Sequence, residues 1–109
     1  MASLVRGEEV LGPVEVAADP ATRLKGLLGR DGVEGALLLP GCRSVHTLGM
    51  RFAIDVAFLD RRGRVVATVT PMRRQRLGRA RWRAHQVLEA EAGVFAHWNL
   101  APGDVLEVR

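Results

Sequence analysis

The run Ala53–Leu59 (AIDVAFL) passes through Asp60-Arg61-Arg62-Gly63 and is followed at once by Val65–Val69 (VVATV). Two β-prone runs joined by a polar, glycine-ended turn predict an antiparallel hairpin over 53–69. Side chains of a strand alternate between faces, and both parities of AIDVAFL are apolar. Both faces of this strand must therefore be covered, and Asp55 is caught inside it. A carboxylate in that position needs a hydrogen-bond or ion-pair partner, because isolated burial of its charge is very costly. Arg51, His46, Thr47 or backbone N–H groups at a strand end are the nearest candidates.

The rest of the chain is punctuated in the same way. Val10–Ala17 (VLGPVEVA) reads as a strand, and Gly12-Pro13 within it predicts an edge position. Asp19 is a good N-cap and Pro20 a good first residue for a helix over Asp19–Leu28, with Leu24, Leu27 and Leu28 as its apolar stripe and Gly29 or Gly32 as its end. Ala36–Leu39 is a short apolar run stopped by Pro40-Gly41, and Ser44–Met50 reads as a strand. Residues 72–85 read as a long Arg-rich connection. Gln86–Glu91 and Val105–Val108 predict two more strands, with a short helix within Gly93–Asn99 between them. Many short strands with turn signals between them predict a mainly β domain with short helices, a compact antiparallel sandwich or barrel-like fold, over 1–109.

At 109 residues the chain holds one domain, and 48% hydrophobic residues supply a core without disulfides or metal. Cys42 is the lone cysteine, so no intrachain disulfide forms. Arg6, Glu8 and Glu9 interrupt any secretory apolar run, and no stretch approaches a membrane helix. These features predict a soluble, cytoplasmic protein without a membrane partner. The formal net charge is +4, and Lys25 is the only lysine among the 16 basic residues. That excess is weak support for an anionic partner.

Four segments resemble, in order, the domain of unknown function 192 family of small bacterial and archaeal proteins. Arg23-Leu24-Lys25-Gly26-Leu27-Leu28-Gly29-Arg30 is similar to the family's R-x-x-G-L-M-x-R. Val45-His46-Thr47-Leu48-Gly49-Met50 followed by Ala53–Asp60 is similar to a short Met-containing segment ahead of P-[IL]-D-[IV]-x-F-L-D. Val87–Gly93 is similar to V-L-E-x-x-A-G, and Asn99–Asp104 to G-[IL]-x-x-G-D. The set covers about residues 10–109. Leu28, Ala53, Glu91 and Asn99 depart from the family pattern without removing an obvious chemical group. The resemblance implies a compact β-sandwich or barrel-like fold with short helices and implies no activity. Many members carry an export signal; none is legible in this chain.

The residues that could carry chemistry are few. Cys42 and His46 share strand parity and could hold a metal or act as nucleophile and base, with Asp55 orienting the imidazole. A structural zinc site needs four ligands, and no second Cys or His pair supplies them; His85 and His97 stand far apart. The bland alternative is a half-buried thiol and a hydrogen-bonded histidine. Arg23 and Arg30 lie seven apart and could clamp an anion, or serve as a solvated residue and an ion-pair partner for Glu34 or Asp55. Arg73, Arg74, Arg76, Arg79, Arg81 and Arg83, interleaved with Trp82, suit single-stranded nucleic acid or phosphate contacts, but a solvated loop is the usual meaning of such a run. Trp82 and Trp98 read as packing. No glycine-rich phosphate loop or cofactor fingerprint is present.

These observations favour a small non-enzymatic ligand-binding or interaction module with a site near Cys42, His46 and Asp55, drawing on Arg23, Arg30, Met50 and Arg51. It would take a small molecule or a protein, without cofactor or metal. The alternatives are a thiol–imidazole enzyme using Cys42 and His46, and a nucleic-acid accessory protein using Arg73–Arg83. Nucleic acid is the least favoured partner.

Overall fold

The computed structural model describes residues 2–43, 50–74, 76 and 83–109. Seven strands and two short helices follow one another as β1 (Ala2–Arg6), β2 (Glu9–Val16), α1 (Pro20–Lys25), β3 (Ala36–Pro40), β4 (Ile54–Leu59), β5 (Val65–Met72), β6 (Gln86–Glu91), α2 (Val94–His97) and β7 (Glu107–Val108). They form one sheet in the order β5-β4-β6-β3-β2-β1-β7. Five of its pairings are antiparallel, and β2 with β3, joined through α1, is parallel. The fold is thus mainly β with a mixed sheet.

The sheet curls without closing into a barrel. An isolated bridge joins Arg64, ahead of β5, to Val105, ahead of β7. Backbone bonds from Val65 to Asp104 (2.8 Å), from Gly103 to Val65 (2.8 Å) and from Leu106 to Gly63 (2.9 Å) bring the two edges together at that end. The inner face collects Leu4, Val14, Leu38, Ala57, Leu59, Leu88 and Ala90 around Phe95 and Trp98 of the α2 segment. Phe95 and Trp98 stack with ring centroids 5.9 Å apart. The outer face of β3, β6, β4 and β5 carries a second core: Leu37, Leu39, Ile54, Val56, Phe58 and Val87, covered by Leu27 and Met50. Every residue of β4 is buried, as its double-sided apolar pattern requires.

Three expectations change. β2 lies between β1 and β3, not at an edge. Pro13 is tolerated there because the pairing with β3 begins only at Val14, leaving Pro13 paired with Ser3 alone. Gly12 beside it has a packing role: a Cβ at this position would meet Trp98 at 3.2 Å, so the indole can lie against β2. The helix is shorter than its leucine spacing suggests. Asp19 caps it through Thr22 N at 2.8 Å, but Gly26, at φ 54° and ψ −130°, ends it after Lys25. Leu24 is left 84% exposed, while Leu27 is buried from the turn beyond. β1, finally, is an unforeseen strand, paired on both sides by β2 and β7. The hairpin of β4 and β5 forms as predicted, with β5 continuing through Pro71 to Met72. The expected strand Ser44–Met50 lies mostly outside the described residues.

Candidate functional site

Asp55 and Glu89 are the two buried acidic residues among those described, 1% and 3% exposed. The sheet register separates them. Asp55 pairs with Ala90, and Glu89 pairs with Val56 and Leu37, so the two carboxyl groups point to opposite faces.

Asp55 points inward, toward the start of α2. Its Oδ2 accepts backbone N–H bonds from Gly93 and Phe95, both at 3.0 Å. Gly93, the residue at the helix N-cap, makes no side-chain cap bond of its own. A neighbouring strand thus satisfies two of the donors that a helix start leaves unpaired. This is the polar partner Asp55 needs, and it is backbone.

Glu89 points outward into the second core. Its Oε1 is buried and has no hydrogen-bond partner among the described residues. A Cβ on Gly26 would stand 2.7 Å from this oxygen, so the carboxyl group occupies the space of an absent side chain at the end of α1. The positive φ of Gly26 and this close approach both require glycine. Burial drives the carboxyl pKa up from 4.5 to about 7, opposed by a hydrogen bond from the Leu27 backbone and by the charge of Arg30.

Around Glu89 stand several of the predicted residues. Cys42 is half-buried and packs against the outer core with Met50. Burial pushes its thiol up from its ordinary value; Arg23 pulls it back and Glu89 adds to the rise. Arg23 donates to the Pro40 carbonyl at 3.4 Å. Arg30 forms a two-pronged pair with Glu15, at 3.1 and 2.9 Å, rather than with Glu34 or Asp55. It lies beyond the helix end, so Arg23 and Arg30 do not share a helix face. Arg51 pairs with Asp31 at 2.6 Å on the surface.

The expected group of Cys42, Met50 and Asp55 is therefore divided by the sheet: Cys42 and Met50 on the outer side, Asp55 on the inner. His46 lies outside the described residues. Of the Arg-rich segment, Arg73, Arg74, Arg76 and Arg83 are exposed, and Arg79, Arg81 and Trp82 lie outside the described residues. Trp98 is buried in the inner core. No group of three or more metal-ligating side chains is found among the described residues. Nor is any helix among them long and apolar enough to cross a membrane. Glu89 is the residue the sequence reading passed over. Its signal was a carboxylate in the apolar strand QVLEAE, the same signal that singled out Asp55.

A curled mixed sheet with one helix plugging its inner face is an architecture found in solved proteins. A protein of unknown function from Novosphingobium aromaticivorans superposes with a TM-score of 0.79 at 20% identity, over 97% of this chain and 82% of the other. A protein from Sinorhizobium meliloti described as a candidate transcription regulator gives a TM-score of 0.82 at 21% identity, over 98% and 91% of the two chains. Identities this low establish a shared fold alone. No curated protein matches the chain. The model of DUF192, the uncharacterized ACR family, matches residues 3–108, and the chain belongs to that family.

Proposed function

We propose that the protein is a non-enzymatic ligand-binding module whose site lies on the outer face of the sheet, around Glu89, Arg23, Cys42 and Met50. The observation that carries this reading is the Glu89 carboxyl group: nearly fully buried, with one oxygen unpartnered among the described residues and a pKa pushed up to about 7. Buried polar atoms are almost always satisfied, an exception calls for a physical explanation, and strongly perturbed carboxyl groups cluster at functional sites. A ligand that donates a hydrogen bond, such as an amide or an amidinium group, suits such an acceptor. The raised thiol of Cys42 supports binding over catalysis, because a nucleophilic cysteine needs its pKa lowered.

The test is an amide NMR titration of the full chain with acetamide and with benzamidine. Saturable shifts at Gly26, Leu27, Cys42 and Met50, weakened in Glu89→Gln, are expected. Shifts confined to the inner-face residues, or none with either compound, would contradict the reading. In parallel, iodoacetamide should modify Cys42 at pH 7 more slowly than free cysteine. Faster modification would turn the argument toward the thiol–imidazole enzyme.

A further inference from the structure

A second feature stands apart from Glu89. Where the two sheet edges approach, an open cleft of about 820 Å³ is lined by Arg61, Arg62, Arg64, Arg83 and His85, together with Pro102 and Gly103. Asp60 is the one acidic residue in this lining. Its Oδ1 accepts the backbone N–H groups of Arg62 (2.9 Å) and Arg64 (3.0 Å), so it is engaged in shaping the turn. Among the described residues no carboxylate stands in ion-pair range of Arg61, Arg62 or Arg64.

The arginines are mounted on a braced frame. Asp60 N donates to the Arg64 carbonyl at 2.9 Å, and Gly63 N to the Asp60 carbonyl at 3.1 Å. Gln86 Nε2 ties the Asp60 carbonyl to β6 at 3.1 Å, and His85 N bonds the Leu59 carbonyl at 2.8 Å. The bonds from Val65 to Asp104 and from Leu106 to Gly63 fix the turn to the C-terminal segment. The backbone from which these arginines project is thereby fixed, and it loses less freedom on binding than a mobile loop would.

We propose that this cleft binds a compact oligophosphate, such as pyrophosphate or the phosphate chain of a nucleotide. Guanidinium forks match phosphate oxygens two at a time, which a point charge does not. Arg61, Arg62 and Arg64 outnumber Asp60 in this concavity, and a single monoanion would leave positive charge unbalanced. A ligand with two or more phosphate groups balances it, and the cleft volume is that of a small-molecule site.

The experiment is calorimetric titration of the full chain with sodium pyrophosphate, with ATP and with a short oligo-dT, at low and at physiological ionic strength. Pyrophosphate and ATP should each bind saturably at one site. Arg62→Lys/Arg64→Lys keeps the charge and removes two forks, and should weaken binding by roughly tenfold or more. Both positions are exposed, and circular dichroism checks that the double variant is folded. Lys25→Ala, which removes one charge from α1, should leave binding unchanged. Absence of pyrophosphate and ATP binding would overturn the proposal, as would equal affinity in the wild type and the double Lys variant. Binding of oligo-dT alone would also overturn it, in favour of an extended nucleic-acid track along the Arg-rich segment. None of these outcomes depends on Glu89.

Discussion

Replacing Glu89 with Gln should stabilise the protein at alkaline pH and leave it little changed at acid pH. The folded state holds the Glu89 proton up to about pH 7, whereas its ordinary pKa is 4.5. Below 4.5 the group is protonated in both states and carries no penalty. As pH rises from 4.5 through 7, the unfolded chain ionises first, and folding must either retain the proton or bury a charge. Stability from this group is therefore fully present below 4.5 and is lost as pH rises through the folded pKa. A shift of this size corresponds to a loss of about 3 kcal/mol above pH 8. Glutamine keeps the shape of the protonated acid and cannot ionise. Urea denaturation of the two proteins at pH 5 and pH 8.5 measures the difference. The expected advantage of Glu89→Gln is under about 1 kcal/mol at pH 5 and approaches about 3 kcal/mol, as an order of magnitude, at pH 8.5. A difference that does not change between the two pH values would show that Glu89 titrates alike in both states.

Asp55→Ala should be the more damaging substitution on the inner face. It removes one acceptor that serves two backbone donors, Gly93 N and Phe95 N, the second of them buried. Hydrogen bonds to a charged acceptor contribute more than neutral ones, and donors left unpaired carry their own desolvation cost, so the loss is roughly 3–5 kcal/mol. Asp55→Asn keeps an acceptor oxygen and should cost only about 1–2 kcal/mol. The same denaturation series checks both. A loss below about 1 kcal/mol for Asp55→Ala would mean that water or another group replaces the carboxylate. Asp55 thus acts through the placement of α2, whose Phe95 and Trp98 fill the inner core.

These two carboxylates show how far the sequence could be read. That Asp55 must be satisfied follows from its apolar strand. Its partner does not, because Gly93 and Phe95 lie 38 and 40 residues further along and meet Asp55 only once β6 has paired with β4. The grouping of Asp55 with Cys42 and Met50 rested on sequence distance. It fails because neighbouring residues of a strand face opposite ways: Ile54 and Val56 join the outer core with Met50, so Asp55 between them points inward. The hairpin and β6 were legible because their apolar runs and turn residues agree. The end of α1 was not, since leucine spacing extended the helix past Gly26, whose role is set by a carboxyl group from a distant strand. The edge assignment of β2 failed for a related reason. Proline forbids a bond on one side only, and whether β3 reaches that far is decided by tertiary pairing.

The outer face holds a buried carboxyl group, with its pKa pushed up to about 7, against the end of α1. The most direct measurement is a carbon-13 NMR titration of the Glu89 side-chain carboxyl in the folded protein, followed together with the Gly26 and Leu27 amides. The expected result is a Glu89 midpoint near pH 7, with the two amides shifting at that same midpoint. A midpoint near the ordinary value of 4.5, with Gly26 and Leu27 unmoved near pH 7, would contradict it.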